Sequence, residues 1–187
     1  MYFHNCLTIL IRSAILFASG VFLLACESDL KNVRKLTETS FAPSGSVDSI
    51  HLKYTDSGRV KTILVSPKMK EYSSVLHPFT EFPEHVHITL IDENGQSNFI
   101  EADYAKIYKE TEVIDFRGNV KLTSHHGHFL ETEQLFYDQK KEWFFTKQKF
   151  KFTAPGEGET IGMGVDFSKD FQRIDFKNVN GMIEKLE

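Results

Sequence analysis

Cysteine is scarce: Cys6 and Cys26 are the only two in 187 residues, too few for a disulfide framework. No charge of one sign dominates either. Twenty-two Lys and Arg against 26 Asp and Glu leave a net charge of −4, which argues against nucleic acid, a partner that calls for a basic face. The signatures of hydrolytic and nucleophilic chemistry are missing, with no His-Glu-x-x-His, no Gly-x-Ser-x-Gly and no paired-cysteine ligand set. Gly156-Glu-Gly-Glu-Thr-Ile-Gly162-Met-Gly164 is rich in glycine, but Pro155 precedes it and no helical periodicity follows. A phosphate cradle opens a helix whose N-terminus faces the anion, so this stretch reads as a turn into a strand. No catalytic residue, cofactor or resident metal is expected, and nothing argues for an enzyme. With 41% hydrophobic and 26% charged residues, the chain is too apolar for disorder and too polar for a polytopic membrane protein.

What is present begins with an address. Arg12 is the only charged side chain ahead of the apolar run from Ala14 to Ala25, which is long enough for a secretory core and short of the roughly 20 residues of a membrane span. Leu23-Leu24-Ala25-Cys26 ends the run. A small residue before the cysteine and Leu three before it resemble the lipobox of bacterial lipoproteins, in which the cysteine is acylated and becomes the new N-terminus. The expected organisation is a signal peptide over 1–25, a lipidated N-terminus and linker over 26–45, and one folded domain over 46–187. Cys6 would be discarded and Cys26 would be the lipid-attachment site. Two or more acyl chains hold a protein stably on a membrane, so the domain would be tethered outside the cytoplasm.

Beyond residue 46 the pattern alternates with a period of two, the mark of strands. Ile50-His-Leu-Lys-Tyr54 and Val60-Lys-Thr-Ile-Leu-Val65 flank Thr55-Asp-Ser-Gly58, and 85–91 and 97–102 flank Asp92-Glu-Asn-Gly95, two hairpin signals. The stretch 67–83 holds three of the five prolines and the one candidate helix, around 69–76. Ile100-Glu-Ala, Leu130-Glu-Thr and Ile161-Gly-Met recur at spacings of 30 and 31, as do Phe116, Phe145 and Phe176 at 29 and 31. A repeat of that length, holding two strands per unit, suggests a stacked or rolled all-β architecture. Alternation puts Ile114, Phe116, Val120 and Leu122 on one face, provided that Gly118 does not shift the register. It puts Phe150 and Phe152 opposite Lys147, Lys149 and Lys151, and makes a third apolar row of Ile161, Met163, Val165 and Phe167. Seventeen Phe suit such a sheet system; its apolar face is either a closed core or a groove for an apolar ligand. Two histidine groups admit a metal reading, His85 with His87 on one strand face and His125-His126-Gly-His128 in a turn, although exposed edge and turn histidines are the plainer account.

Four segments carry a family resemblance: Phe99-Ile-Glu-Ala-Asp-Tyr-Ala105, Phe116-Arg-Gly-Asn-Val-Lys-Leu122, Gly127-His-Phe-Leu-Glu-Thr-Glu-Gln-Leu-Phe-Tyr-Asp138 and Ile161-Gly-Met-Gly-Val-Asp-Phe167. In this order and spacing they resemble the lipopolysaccharide-export LptC family and, more loosely, the LptA/OstA domains. Tyr54-Thr-Asp-Ser-Gly58 and Phe82-Pro83 are similar to the form found in Bacteroidetes-like members. The resemblance covers about 46–184. It implies an open β-jellyroll on the periplasmic side of the inner membrane, joined to an ABC transporter, that holds lipopolysaccharide acyl chains and hands the lipid to an LptA-like bridge protein. One departure stands out: better-known members carry a transmembrane anchor, whereas this chain carries a lipobox. Alternation and the resemblance together assign groove-lining roles to Ile114, Phe116, Val120, Phe150, Phe152, Met163 and Val165. The last strand, 173–183, would be the edge meeting the LptA-like partner, and 50–65 would face the transporter. Two other readings stay open: a lipoprotein with a closed β-core that binds only protein, and a metal-binding lipoprotein using the histidines.

Overall fold

The structure is a computed structural model and describes residues 42–183, so the signal peptide, the lipobox with Cys26 and most of the linker lie outside the described residues. Eleven strands form one antiparallel sheet: β1 (Gly45–Asp56), β2 (Arg59–Tyr72), β3 (Phe79–Phe82), β4 (Val86–Ile91), β5 (Ser97–Ala102), β6 (Tyr104–Tyr108), β7 (Val113–Thr123), β8 (Phe129–Asp138), β9 (Trp143–Ala154), β10 (Gly158–Ser168) and β11 (Ile174–Ile183). Both hairpin signals form turns. Ser57 and Gly58 take φ of 51° and 78°, the left-handed pair that suits a tight two-residue connection. Asp92 Oδ1 accepts from the backbone N–H of Asn94 and of Gln96, both at 2.8 Å, and closes the other.

The connectivity is a simple meander. The first half of β2 pairs with β4 and its second half with β3; β4 pairs with β5 and β3 with β6; β5 and β6 pair with the two halves of β7. Thus β3 with β4, and β5 with β6, are each one long pass interrupted at mid-length, and the sheet is folded along a crease that crosses every pass. Local geometry marks the crease. Register shifts fall at 117–120 in β7, 132–136 in β8 and 163–165 in β10. Positive φ occurs at His85 (46°), Gly118 (74°), Asn119 (47°) and Gly164 (77°). Such bulges bend a strand and sharpen its twist. At Asp103 the backbone N–H donates to the Gly118 carbonyl at 3.0 Å, and the carboxylate accepts from Asn119 Nδ2 at 2.7 Å, fastening adjacent passes where both bend.

The fold makes two leaves facing each other, and their inner faces carry one apolar cluster. On the first leaf the register aligns Leu52, Leu64, Ile88, Ile100, Leu122, Leu130, Phe152 and Thr160 in one cross-strand row. On the second it aligns Ile107, Ile114, Tyr137, Phe144, Phe167 and Ile174. Opposite-facing positions carry charge, as in the Lys151–Glu159 pair at 2.7 Å and His87–Glu101 at 3.2 Å.

Two expectations fail here. The candidate helix around 69–76 is strand through Tyr72, and no helix occurs among the described residues. The reason is pairing on both sides: Lys70 and Glu71 face β1 on one flank and β3 on the other, and Tyr72 stacks on Phe79 with ring centroids 4.5 Å apart. The row Ile161, Met163, Val165 and Phe167 is also broken. Between Met163 and Val165, where Gly164 takes φ 77°, β9 runs one residue longer than β10 and the faces of β10 swap, so Val165 and Phe167 point inward while Met163 is 43% exposed on the outer face. Across 117–120, by contrast, Val120 and Leu122 stay in phase with Ile114 and Phe116, all buried.

Candidate functional site

The candidate site is the interior of the folded sheet and the opening between the strand tips opposite the crease. Of the seven residues assigned to lining, six come together. Phe116 and Val165 stand in the second leaf, Val120, Phe150 and Phe152 in the first, and Ile114 in the second leaf's row; all are buried in the common cluster. Met163 does not join them, because the register slip at Gly164 turns it outward. Phe150 sits against Gly162 of its neighbour strand, where a Cβ would lie 2.8 Å from the ring. That close approach lets an aromatic side chain fill the space a side chain on β10 would take.

Along the open side runs a cleft of about 760 Å³. The first leaf lines it with Tyr54, Thr62, Leu90 and Asn98, the second with Tyr137, Trp143 and Ser168. Its rim is charged with both signs: Lys61, Lys141, Lys169 and Arg173 against Asp56, Asp92, Glu93, Glu112, Glu142 and Asp170. Lys141 is tied within its own tip to Asp138 at 3.2 Å, and Lys169 of the β10–β11 turn reaches Glu142 of the neighbouring β8–β9 turn at 2.8 Å. Hydrogen bonds from the Gln96 N–H and then the Asn94 N–H hold the Asp92 carboxyl below its usual value, although partial burial opposes them. Burial pushes the Tyr137 phenol well above its usual value, so it stays protonated at the floor of the cleft. Apolar surface in the cleft is limited to Leu90, Trp143 and the rings of Tyr54 and Tyr137; the rest of its lining is polar or charged.

Toward the later strands the opening is closed by a series of rings, stacked except for the last pair, which meets edge to face at 62°. Tyr137–Phe144 (4.3 Å), Phe144–Phe167 (5.1 Å), Phe167–Phe171 (5.1 Å), Phe171–His128 (5.0 Å), His128–Phe152 (5.7 Å) and Phe152–Phe176 (5.5 Å) form one series. It starts in the second leaf, crosses from Phe171 in the β10–β11 turn to His128 at the β7–β8 tip, and ends at the sheet edge. Burial, then the neighbouring His126 and His125, lowers the affinity of His128 for a proton, against a weaker pull from Glu157.

The histidine expectations resolve differently. His85 lies outside β4 at φ 46°, so the period of two that would have set it beside His87 does not hold, and His87 pairs with Glu101. His125, His126 and His128 do sit in and beside one turn, where His125 Nδ1 meets Asn98 Oδ1 at 3.0 Å and His128 Nδ1 meets Ser124 Oγ at 3.1 Å. No group of three or more metal-ligating side chains occurs among the described residues. Sequence reasoning missed Phe171 and His128 as site residues. A phenylalanine within the polar turn Ser168-Lys-Asp-Phe-Gln-Arg173 was the available signal.

Taken together, a nine-pass meander folded into two leaves around an apolar interior is an open β-jellyroll. The chain belongs to the family described as lipopolysaccharide-assembly, LptC-related, which it matches over residues 13–184. No curated protein matches it. Membership places the chain in lipopolysaccharide transport, in a family of transport and binding proteins rather than enzymes. The family is periplasmic and associated with the inner membrane.

Proposed function

We propose that the two leaves hold the acyl chains of lipopolysaccharide between them while the saccharide stays at the charged rim. The observation that carries this reading is the pair of apolar cross-strand rows, one on each leaf, that meet in a single buried cluster between the leaves. Each methylene left in water costs about 0.8 kcal/mol, so acyl chains crossing an aqueous compartment need unbroken apolar cover. Ile114, Phe116, Val120, Phe150, Phe152 and Val165 supply that cover. They are packed against one another, so lipid entry requires the leaves to spread about the crease, where bulges and left-handed residues already interrupt the ladder.

In this reading the chain receives lipopolysaccharide from the inner-membrane ABC transporter and passes it to an LptA-like protein. Among the described residues both β1 and β11 end the sheet with one unpaired edge, and an exposed edge can add a strand from a neighbour and prolong the apolar cover. The edge of β11 serves the LptA-like protein and that of β1 the transporter. Acylation at Cys26 tethers the domain to the periplasmic face of the inner membrane. Labelled fatty acid should enter the protein in cells and be lost in Cys26→Ala; labelling that survives the substitution rejects the lipid anchor.

Photoreactive residues in cells test the groove. A crosslinker at Phe150, on the inner face, should capture lipopolysaccharide. One at Phe145, which stacks with Phe136 on the outer face at 5.1 Å, should not. Capture at Phe145 alone, or at neither position in a functional protein, contradicts the reading and favours a closed β-core that binds only protein.

A further inference from the structure

We infer that the β10–β11 turn is a clasp across the opening: Phe171 shuts the C-terminal part of the cleft, and acyl chains reach the last strands only when it leaves its seat. This rests on the groove reading above and adds an internal gate to it.

Phe171 is an anomaly twice over. It belongs to a turn between two exposed polar residues, Asp170 and Gln172, yet it is only 6% exposed. Its φ is 59°, a conformation that bulky side chains seldom adopt and that persists where surrounding contacts enforce it. What enforces it is the ring's seat. On one side lies Phe167 of its own leaf at 5.1 Å; on the other lies His128 at 5.0 Å, with ring planes only 6° apart. His128 belongs to the tip of the opposite leaf, so this stack bridges the two leaves.

A second latch accompanies it. Asn98, buried on the first leaf, donates from Nδ2 to the Lys169 carbonyl at 3.2 Å and accepts at Oδ1 from the His125 N–H at 3.0 Å. The turn keeps its own shape independently: the Phe171 N–H donates to the Ser168 carbonyl at 2.9 Å, and Asp170 Oδ1 accepts from Ser168 Oγ at 2.5 Å and from the Gln172 N–H at 3.1 Å. It can therefore swing as a preformed unit once its ties to the β8–β9 tip open, the Lys169 N–H to the Glu142 carbonyl at 2.9 Å and Lys169 Nζ to Glu142 Oε1 at 2.8 Å. The bridge to the opposite leaf consists of a ring stack and a side-chain hydrogen bond, with no strand pairing to break. Ahead of the clasp the cleft is open, with Tyr54 65% exposed; behind it lie Phe152 and Phe176 beside the β11 edge. The clasp thus divides the receiving part of the cleft from the delivering edge.

The test uses full-length protein in cells with photoreactive residues at Tyr54 and at Phe176. Phe171→Gly removes the ring while suiting the positive φ, and His128→Ala removes the opposing ring. Either should raise lipopolysaccharide capture at Phe176 several-fold and leave capture at Tyr54 unchanged. Capture at Tyr54 with Phe176 unmoved by both variants overturns the clasp and leaves the groove standing. Loss of capture at both positions overturns the groove and the clasp with it. A lipid-free measurement stands beside these: in native-state hydrogen exchange the Lys169 amide, which donates out of the turn to the Glu142 carbonyl, should exchange several-fold faster than the amides of β9 and β10. Exchange of this amide only through global unfolding overturns the clasp whatever the lipid does.

Discussion

His128 shows how one side chain can link packing to pH. Its ring is sandwiched between Phe171 and Phe152, Nδ1 meets Ser124 Oγ, and burial with the nearby His125 and His126 disfavours its protonated form more than Glu157 favours it. The folded state therefore binds this proton less readily than the unfolded state, so stability should fall as pH drops through the ordinary histidine range of about 6.5 and level off below the depressed folded value. Denaturant unfolding followed between about pH 5 and 8 should show this slope, and His128→Phe, which keeps a ring in the stack, should flatten it. An unchanged slope in that variant would assign the pH dependence elsewhere. None of this was legible in the sequence. His125-His126-Gly-His128 could be read as a turn, but nothing local announces that one imidazole packs against a phenylalanine more than forty positions away. At Val165 and Met163 the sequence misled for a different reason. A period of two presumes a regular strand, and the one-residue register slip against β9 at Gly164 exchanges the faces of β10 beyond it.

At the level of elements, what could be read was what depends on near neighbours. The two hairpin turns, the glycine-rich turn into β10, and the opposition of Phe150 and Phe152 to Lys149 and Lys151 all follow from alternation and turn chemistry. The supposed helix at 69–76 failed because its identity is set by long-range pairing with β1 and β3, which outweighs local propensity. The approach of β10 to its neighbours gives a test at this scale. A Cβ on Gly162 would stand 2.4 Å from the Asn178 carbonyl oxygen of β11 and 2.8 Å from the Phe150 ring of β9. Since one obstacle is backbone, relief requires β11 to move. Gly162→Ala should destabilise the domain by about 1–3 kcal/mol, the usual cost of overpacking, and a thermal melt should register it. A variant as stable as the parent would mean that β11 is not seated as described.

The whole molecule is a meander whose nine passes are all bent at mid-length, and that bend turns a flat apolar face into an interior. Composition and repeat spacing indicated an all-β domain with a large apolar face, whereas the crease emerges only when bulges on neighbouring strands line up. The apolar rows form the core of the shut domain; in the proposed function they would also be the surface that acyl chains meet when the leaves spread. The most direct test is to record contacts between lipopolysaccharide acyl methylenes and isotope-labelled methyl groups by nuclear magnetic resonance. Contacts are expected at the inner-row methyls of Ile88, Ile100, Leu122 and Leu130 and absent at the outer-face methyls of Ile63, Val65 and Ile161. Contacts confined to the outer set, or none at the inner row in lipid-bound protein, would contradict the account.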